Sequence, residues 1–175
     1  QKLRILNFLN PQIDPFGSGY NIQQSLIAVG SGSLFGKGFL QGSQTQLEFL
    51  PARHTDFILS VFAEENGFFA TLTLISMYFF LTFLCLEIAR RAKNTFSSLL
   101  AIGIATNLFT QFFINVAMVL GMFPVVGVPL PLFSHGGSSL ITSSIGLGLL
   151  IAICRYNHGK IKDRSLTIKN LLKPL

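Results

Sequence analysis

The feature that most constrains this chain is its longest uncharged stretch, which runs from Asn94 to Cys154 without Asp, Glu, Lys or Arg. A second run, Gly67 to Leu86, carries no charge for twenty residues, which is long enough to cross a bilayer. A soluble domain made of such runs would lack charged surface, because ordinary domains are about one-quarter charged. The sequence therefore predicts an all-α polytopic membrane protein with three transmembrane helices.

The uncharged runs and the segments between them predict the order of the chain. We predict a long extracytoplasmic loop with interfacial helices (1–66), a first span (67–86), a cytoplasmic loop (87–96), a second span (97–120), an extracytoplasmic loop (121–137), a third span (138–154) and a basic cytoplasmic tail (155–175). Within the first loop, Ile22–Val29 is predicted to form one or two amphipathic turns. Apolar spacing from Phe57 predicts a helix that runs straight on into the first span.

The positive charge is concentrated in two segments. The net charge is +6, and nine of the thirteen basic residues lie in residues 90–93 and 155–173. The positive-inside rule places both segments in the cytoplasm, so residues 1–66 and 121–137 face outward. This distribution argues against a nucleic-acid partner and suits contact of the tail with anionic membrane lipids.

Ionisable residues gather where the first span is about to begin. His54 and Asp56 precede the acidic pair Glu64 and Glu65. Ionisable groups at such a depth are costly and often functional, so we predict a site at this membrane surface. Two alternatives stay open on pattern alone: Asp56 also fits a helix N-cap, and the glutamates also fit markers of the membrane interface.

A lysine and a stripe of amides are further candidates. Lys37 lacks the spacing of a phosphate-binding loop, but it suits a point contact with phosphate, or else it is simply solvated. Asn107, Gln111 and Asn115 follow one another at i, i+4 and i+8, which places them on one helix face. They are predicted to face the bundle interior or a wet cavity, with plain interhelical hydrogen bonding as the alternative.

The predicted third span opens with Gly136–Ser139, where two glycines precede Ser138 and Ser139. Bare backbone N–H groups and hydroxyls at a helix start suit an anion, and an ordinary N-cap is the alternative. With the acidic cluster, these features suit a substrate with a lipid tail and an anionic, sugar-like or phosphate head group.

The two predicted outer loops share one extended pattern of short motifs: Asn7–Pro11, Gly19–Asn21, Gly36–Gly38, Phe49–Pro51, His54–Ile58, Glu64–Glu65, Leu130–Pro131 and Gly136–Ser139. Over about residues 1–155 this pattern resembles the SEDS family of cell-wall polymerases, and its rod-shape branch more than its division branch. The chain departs from the family at Ala52, Leu59 and His135, where Glu, Phe and an aromatic residue are frequent.

The resemblance implies a peptidoglycan glycosyltransferase of the bacterial inner membrane, which polymerises lipid II into glycan strands during elongation and rod-shape maintenance. It implies a class B penicillin-binding protein as partner, beside lipid II and the growing strand. Because the chain begins with Gln1, we expect a fragment of a longer protein. The resemblance implies that it is the C-terminal part, with the large outer loop and the last three of about ten spans. We expect it to be inactive alone, since the missing spans should form half of the cavity.

The resemblance also implies roles for single residues. The family's catalytic aspartate falls on Asp56, and a functionally sensitive glutamate falls on Glu48. Asp56 is assigned as the general base, since a sugar hydroxyl needs a carboxylate to take its proton. The substrate-binding candidates are Lys37, Glu48, Arg53, His54, Glu64, Glu65, Asn115, Ser138 and Ser139.

The leaving lipid pyrophosphate needs cationic or N–H stabilisation, for which Lys37, Arg53, the Gly136–Ser139 helix start and a divalent cation are candidates. No cofactor is certain, and the sequence identifies no metal ligands. Two other functions remain as alternatives: a transporter that flips the lipid-linked precursor, and a non-catalytic scaffold for the penicillin-binding protein.

Overall fold

The computed structural model describes residues 18–38, 41–42 and 55–171, with side chains described from Gly19 and up to Asn157. Its helices are α1 (Ser18–Ser31), α2 (Ile58–Arg91), α3 (Thr95–Val119) and α4 (Gly137–Leu171), and no strand occurs in the described ranges. The helices α2 and α3 and the Gly137–Asn157 part of α4 are long and apolar enough to cross a membrane. This confirms the predicted all-α membrane protein with three spanning helices.

The helices are longer than the predicted elements. The first helix, α1, has 14 residues where one or two turns were expected. The second, α2, begins at Ile58, within one residue of the predicted start at Phe57, and extends beyond the predicted end at Leu86 to Arg91. The last, α4, continues through the basic segment that was predicted as a tail.

The helix predicted from Phe57 continues into the first span, but it is kinked at Gly67, which the prediction did not include. Gly67 has φ 77° and ψ −172°, a conformation that is open essentially to glycine alone. The segment 32–38 after α1 packs into this kink. Phe68 N donates to Ser33 O at 2.9 Å and Lys37 N donates to Glu64 O at 3.0 Å, so the docked segment satisfies backbone groups that the kink frees.

Close packing of α2 on α3 forms two buried clusters, one toward each end of the bundle. At one end the cluster is rich in small residues, including Ala89, Ala101 and Ala105, which let membrane helices approach closely. At the other end Phe112 packs with Phe57 and Leu130. The two clusters hold α2 and α3 together, and the loops pack against this helix pair.

The loop between α3 and α4 (residues 120–136, the α3–α4 loop) folds back over the start of α2. The hydroxyl of Tyr78 donates to Pro131 O, and the rings of Phe62 and Phe133 meet edge to face with centroids 5.5 Å apart. The rings of Tyr78 and Phe112 stack at 4.7 Å. These contacts hold a proline-rich, non-helical loop against protein, which is where such backbone is tolerated at a membrane.

Candidate functional site

Asp56 lies just before α2, where the α3–α4 loop crosses it. A Cβ added at Gly127 would stand 3.4 Å from Asp56 Oδ2, so the loop backbone passes directly beside the carboxylate. Gly127 has φ +80°, which favours glycine at this crossing. The Asp56 residue is partly exposed, so its carboxylate lies at the edge of the packed region.

Asn115 anchors this crossing from the last turns of α3. Its side chain is fully buried, at 0% exposure. Its Nδ2 donates to Asp56 O at 2.9 Å and to Val128 O at 2.8 Å. One side-chain amide thus joins the backbone of the candidate catalytic residue to the backbone of the α3–α4 loop.

Ser134 makes a second link, to the residue that precedes Asp56. Its Oγ donates to Thr55 O at 2.6 Å and accepts from Leu130 N at 2.8 Å. Ser134 is 4% exposed, so both bonds are shielded from solvent. The carbonyl groups of Thr55 and Asp56 are therefore each bonded by a side chain from another element.

Asp56 is not the N-cap residue of α2. The N-cap position is held by Phe57, which is 1% exposed and makes no side-chain cap hydrogen bond. The hydroxyl of Ser60 in the first turn donates to Phe57 O at 2.6 Å, so it does not accept a cap bond from a first-turn N–H through that contact. Of the two interpretations that the sequence left open for Asp56, the N-cap one is wrong.

A second polar group joins Lys37 to Glu64. Lys37 Nζ lies 2.8 Å from Glu64 Oε1, and Ser31 Oγ donates to the same oxygen at 3.3 Å. The Glu64 side chain is 0% exposed, so it does not mark the membrane interface as one alternative proposed. Glu65 is partly buried and accepts from Gly38 N at 3.0 Å through its carbonyl. The positive charge of Lys37 is thus balanced within the protein.

The amide stripe on α3 is only partly buried. Asn115 is buried, but Asn107 is exposed and lines a cavity of ≈ 430 Å³ between α3 and α4, whose lining is mostly apolar. Gln111 Nε2 donates to Asn107 Oδ1 at 3.2 Å. Asn115 thus faces the bundle interior while Asn107 faces the cavity, because i+4 steps drift about 40° each around a helix of 3.6 residues per turn. That this cavity is wet stays a prediction.

At the start of α4, Ser138 is exposed, whereas Ser139 Oγ is buried and has no hydrogen-bond partner. A Cβ added at Gly136 would stand 3.3 Å from that hydroxyl. The anion site predicted here stays a prediction. Three other candidates, Glu48, Arg53 and His54, lie outside the described residues.

Within the described ranges, no three His, Cys, Asp or Glu side chains are grouped to hold a metal ion. Sequence reasoning gave no role to Ser134 or to Gly127, although both belong to the α3–α4 loop that it singled out. The signal that was available for Ser134 is a lone hydroxyl in an otherwise apolar, proline-rich segment.

The fold and the site define a polytopic membrane protein with a carboxylate beside the α3–α4 loop at one end of its helices. At the opposite end, Lys93 N lies 3.5 Å from Asn157 Oδ1, so the two basic segments meet there. A family model described as "Cell cycle protein", that of the FtsW, RodA and SpoVE proteins, matches residues 1–159. The chain belongs to this family, and it is a multi-pass protein of the bacterial inner membrane.

One relative is the peptidoglycan glycosyltransferase MrdB of Escherichia coli K12, which is 49% identical over 166 residues, 95% of this chain and 44% of MrdB. A solved peptidoglycan synthase complex, described as coordinating polymerization and crosslinking, matches with a TM-score of 0.70 at 34% identity, over 90% of this chain and 42% of the matched one. An aspartate-to-alanine variant of the rod shape determining protein RodA from Thermus thermophilus matches with a TM-score of 0.58 at 38% identity, over 70% and 38%. The chain thus spans less than half the length of these relatives.

Proposed function

We propose that the chain is the C-terminal part of a peptidoglycan glycosyltransferase that polymerises lipid II into glycan strands during cell elongation. The observation that carries the proposal is the setting of Asp56, whose backbone is fixed by Asn115 beside the α3–α4 loop. The name of the E. coli relative supports the reaction class. Asp56 lies away from the basic ends of the helices. This position supports a reaction at the outward-facing surface of the inner membrane.

The proposed reaction needs one base and one stabilised leaving group. Asp56 takes the proton of the acceptor hydroxyl while the oxygen forms a bond to the anomeric carbon of the donor sugar. The bond from that carbon to the lipid pyrophosphate breaks, and its electron pair leaves with the pyrophosphate. Asp56 is a partly exposed residue, which suits this role because an acceptor sugar has to reach its carboxylate.

Arg53, a divalent cation and the start of α4 remain candidates for stabilising the pyrophosphate. Lys37 suits this role less well than its sequence suggested, because Glu64 already balances its charge at 2.8 Å. Glu64 in turn is too buried to contact a large substrate directly in this arrangement. We propose that Lys37 and Glu64 hold the segment 32–38 against α2, and that neither is a substrate ligand.

We propose a class B penicillin-binding protein as partner, together with membrane lipids around the spans. The matched chain of a peptidoglycan synthase complex supports such a partner. Large apolar side chains on the outer faces of the helices, among them Phe80, Phe83 and Ile151, are exposed in the chain by itself and suit lipid or further protein.

Polymerisation of purified lipid II by the full-length protein in detergent tests the proposed function. Detergent abolishes transport across a bilayer but permits polymerisation, so glycan strands are expected from a polymerase and not from a flippase or a scaffold. The assay is run with and without the penicillin-binding protein. A control with the penicillin-binding protein alone establishes that it forms no glycan strands by itself. Absence of strands in both arms would contradict the proposal.

A further inference from the structure

We propose that Asn115 and Ser134 are positioning residues for the reaction of Asp56. Together they form a clamp, by which we mean the three hydrogen bonds that the two side chains donate to the carbonyls of Thr55, Asp56 and Val128. This inference rests on the proposed function, in which Asp56 is the base. It changes the role of Asn115 from a substrate-binding candidate to a support that acts through Asp56.

The hydrogen-bonding capacity of Asn115 supports this role. A side-chain amide has two N–H donors, and both of them go to backbone carbonyls, those of Asp56 and Val128. The side chain therefore has no N–H left to donate to a sugar or a phosphate. Its burial at 0% exposure likewise keeps a bulky substrate away from it.

The side-chain oxygen of Asn115, unlike its two N–H groups, makes no bond that adds stability. Asn115 Oδ1 is buried and has no hydrogen-bond partner. A buried acceptor without a partner is unfavourable, which offsets part of what the two N–H bonds contribute. An apolar residue would avoid that penalty, but it would leave the carbonyls of Asp56 and Val128 without these donors, so what asparagine adds is the pair of bonds that fixes two backbone segments.

Ser134 fixes the adjoining carbonyl from a short turn that it also closes. Ser134 N donates to Leu130 O at 3.0 Å, and Leu130 N donates back to Ser134 Oγ. The same hydroxyl reaches Thr55 O at 2.6 Å. Ser134 is thus held by its own turn while it holds the residue that precedes Asp56.

The clamp acts on the direction of the Asp56 carboxylate. Because the carbonyls of Thr55 and Asp56 are both fixed, the backbone from which the carboxylate projects is held in place, and Gly127 lies beside its Oδ2 atom. A misplacement of about 1 Å in a catalytic geometry lowers a rate by as much as about 10²-fold. Loss of the clamp should therefore lower turnover more than substrate affinity.

Ser25 provides a matched control for Ser134. Ser25 is also buried, at 0% exposure, and its Oγ also donates to a distant backbone carbonyl, Val119 O at 2.9 Å. That bond ties α1 to the end of α3 and does not touch the Thr55–Asp56 backbone. Ser25→Ala and Ser134→Ala therefore each remove one buried hydroxyl, but only the second removes part of the clamp.

The test measures lipid II polymerisation by the full-length protein with its partner, as kcat and KM, for Ser134→Ala, Ser134→Thr, Asn115→Leu, Ser25→Ala and Asp56→Asn. We expect Ser134→Ala to lose about 10-fold and Asn115→Leu up to about 10²-fold in kcat, with KM little changed. Ser134→Thr, which keeps the hydroxyl, should recover most of the activity. Ser25→Ala should keep kcat even where its thermal midpoint falls as far as that of Ser134→Ala.

Equal kcat losses in Ser134→Ala and Ser25→Ala, each in proportion to lost stability, would overturn the clamp as a positioning device. Wild-type kcat in Asn115→Leu would do the same. Either result beside an inactive Asp56→Asn leaves the proposed function standing, so the two failures are distinguishable. An Asp56→Asn variant with full activity would instead remove the base assignment, and the clamp with it.

Discussion

The residue whose role differs most from its sequence context is Glu64. In the sequence it is one of two adjacent acids at a membrane boundary, and Lys37 is a separate basic residue between glycines. In the structure the two form one ion pair, with Glu64 fully buried and Lys37 30% exposed. No local pattern could pair them, because the contact depends on how the segment after α1 docks on α2.

Lys37→Met is expected to destabilise the protein strongly, because it removes a cation that lies 2.8 Å from the fully buried Glu64 carboxylate. Removing one partner of a buried pair typically costs 3–5 kcal/mol, and the partial exposure of Lys37 favours the low end, about 3 kcal/mol. Thermal unfolding in detergent measures the effect. The control is Arg91→Met, which breaks an exposed ion pair with Glu87 and should change stability little. Equal midpoints for the two variants would contradict the account.

At the scale of elements, hydrophobic periodicity predicted that a helix continues from Phe57 into the first span, and it does continue. The kink at Gly67 was missed because a glycine in an apolar run does not reveal its own φ and ψ. The cause lies elsewhere in the chain: a Cβ at Gly67 would stand 2.2 Å from Gly36 N, so the docked segment needs both glycines. Tertiary contact decides the local geometry here.

Gly67→Ala is expected to destabilise the protein. The strained backbone conformation alone costs about 1–3 kcal/mol, and the clash of the new Cβ with Gly36 N adds to that cost. Gly103→Ala is the control, since an added Cβ in that α3 position meets nothing within 4 Å. Thermal midpoints of the two full-length variants are compared. A neutral Gly67→Ala would show that the kink does not require glycine.

At the scale of the whole molecule, composition sufficed for much of the fold. Uncharged runs predicted three spanning helices, and the residues that the structure describes include three helices of that kind. The site was predictable as a region through Asp56, but the bonds that Asn115 and Ser134 make to it were not. Those bonds join residues far apart in sequence. The residues come within hydrogen-bond distance only because α2 packs on α3 and the α3–α4 loop packs over both.

The sidedness of the molecule is a separate prediction. Both basic segments lie at the end of the bundle opposite Asp56, where Lys93 N meets Asn157 Oδ1. The positive-inside rule predicts that this end faces the cytoplasm. A reporter that is active only in the cytoplasm should give signal when fused after Lys93, and none when inserted between Gly38 and Gln46. The reverse pattern would place Asp56 inside the cell and contradict an external site.

The central claim is that Asp56 acts as a general base, and Asp56→Asn tests it most directly. Asparagine keeps the size and the backbone hydrogen bond to Asn115, but it cannot take a proton at neutral pH. The measurement is lipid II polymerisation by the full-length protein with its partner, beside its thermal stability. We predict an unchanged midpoint and a rate lower by about 10²-fold or more. Polymerisation at the wild-type rate would contradict the account.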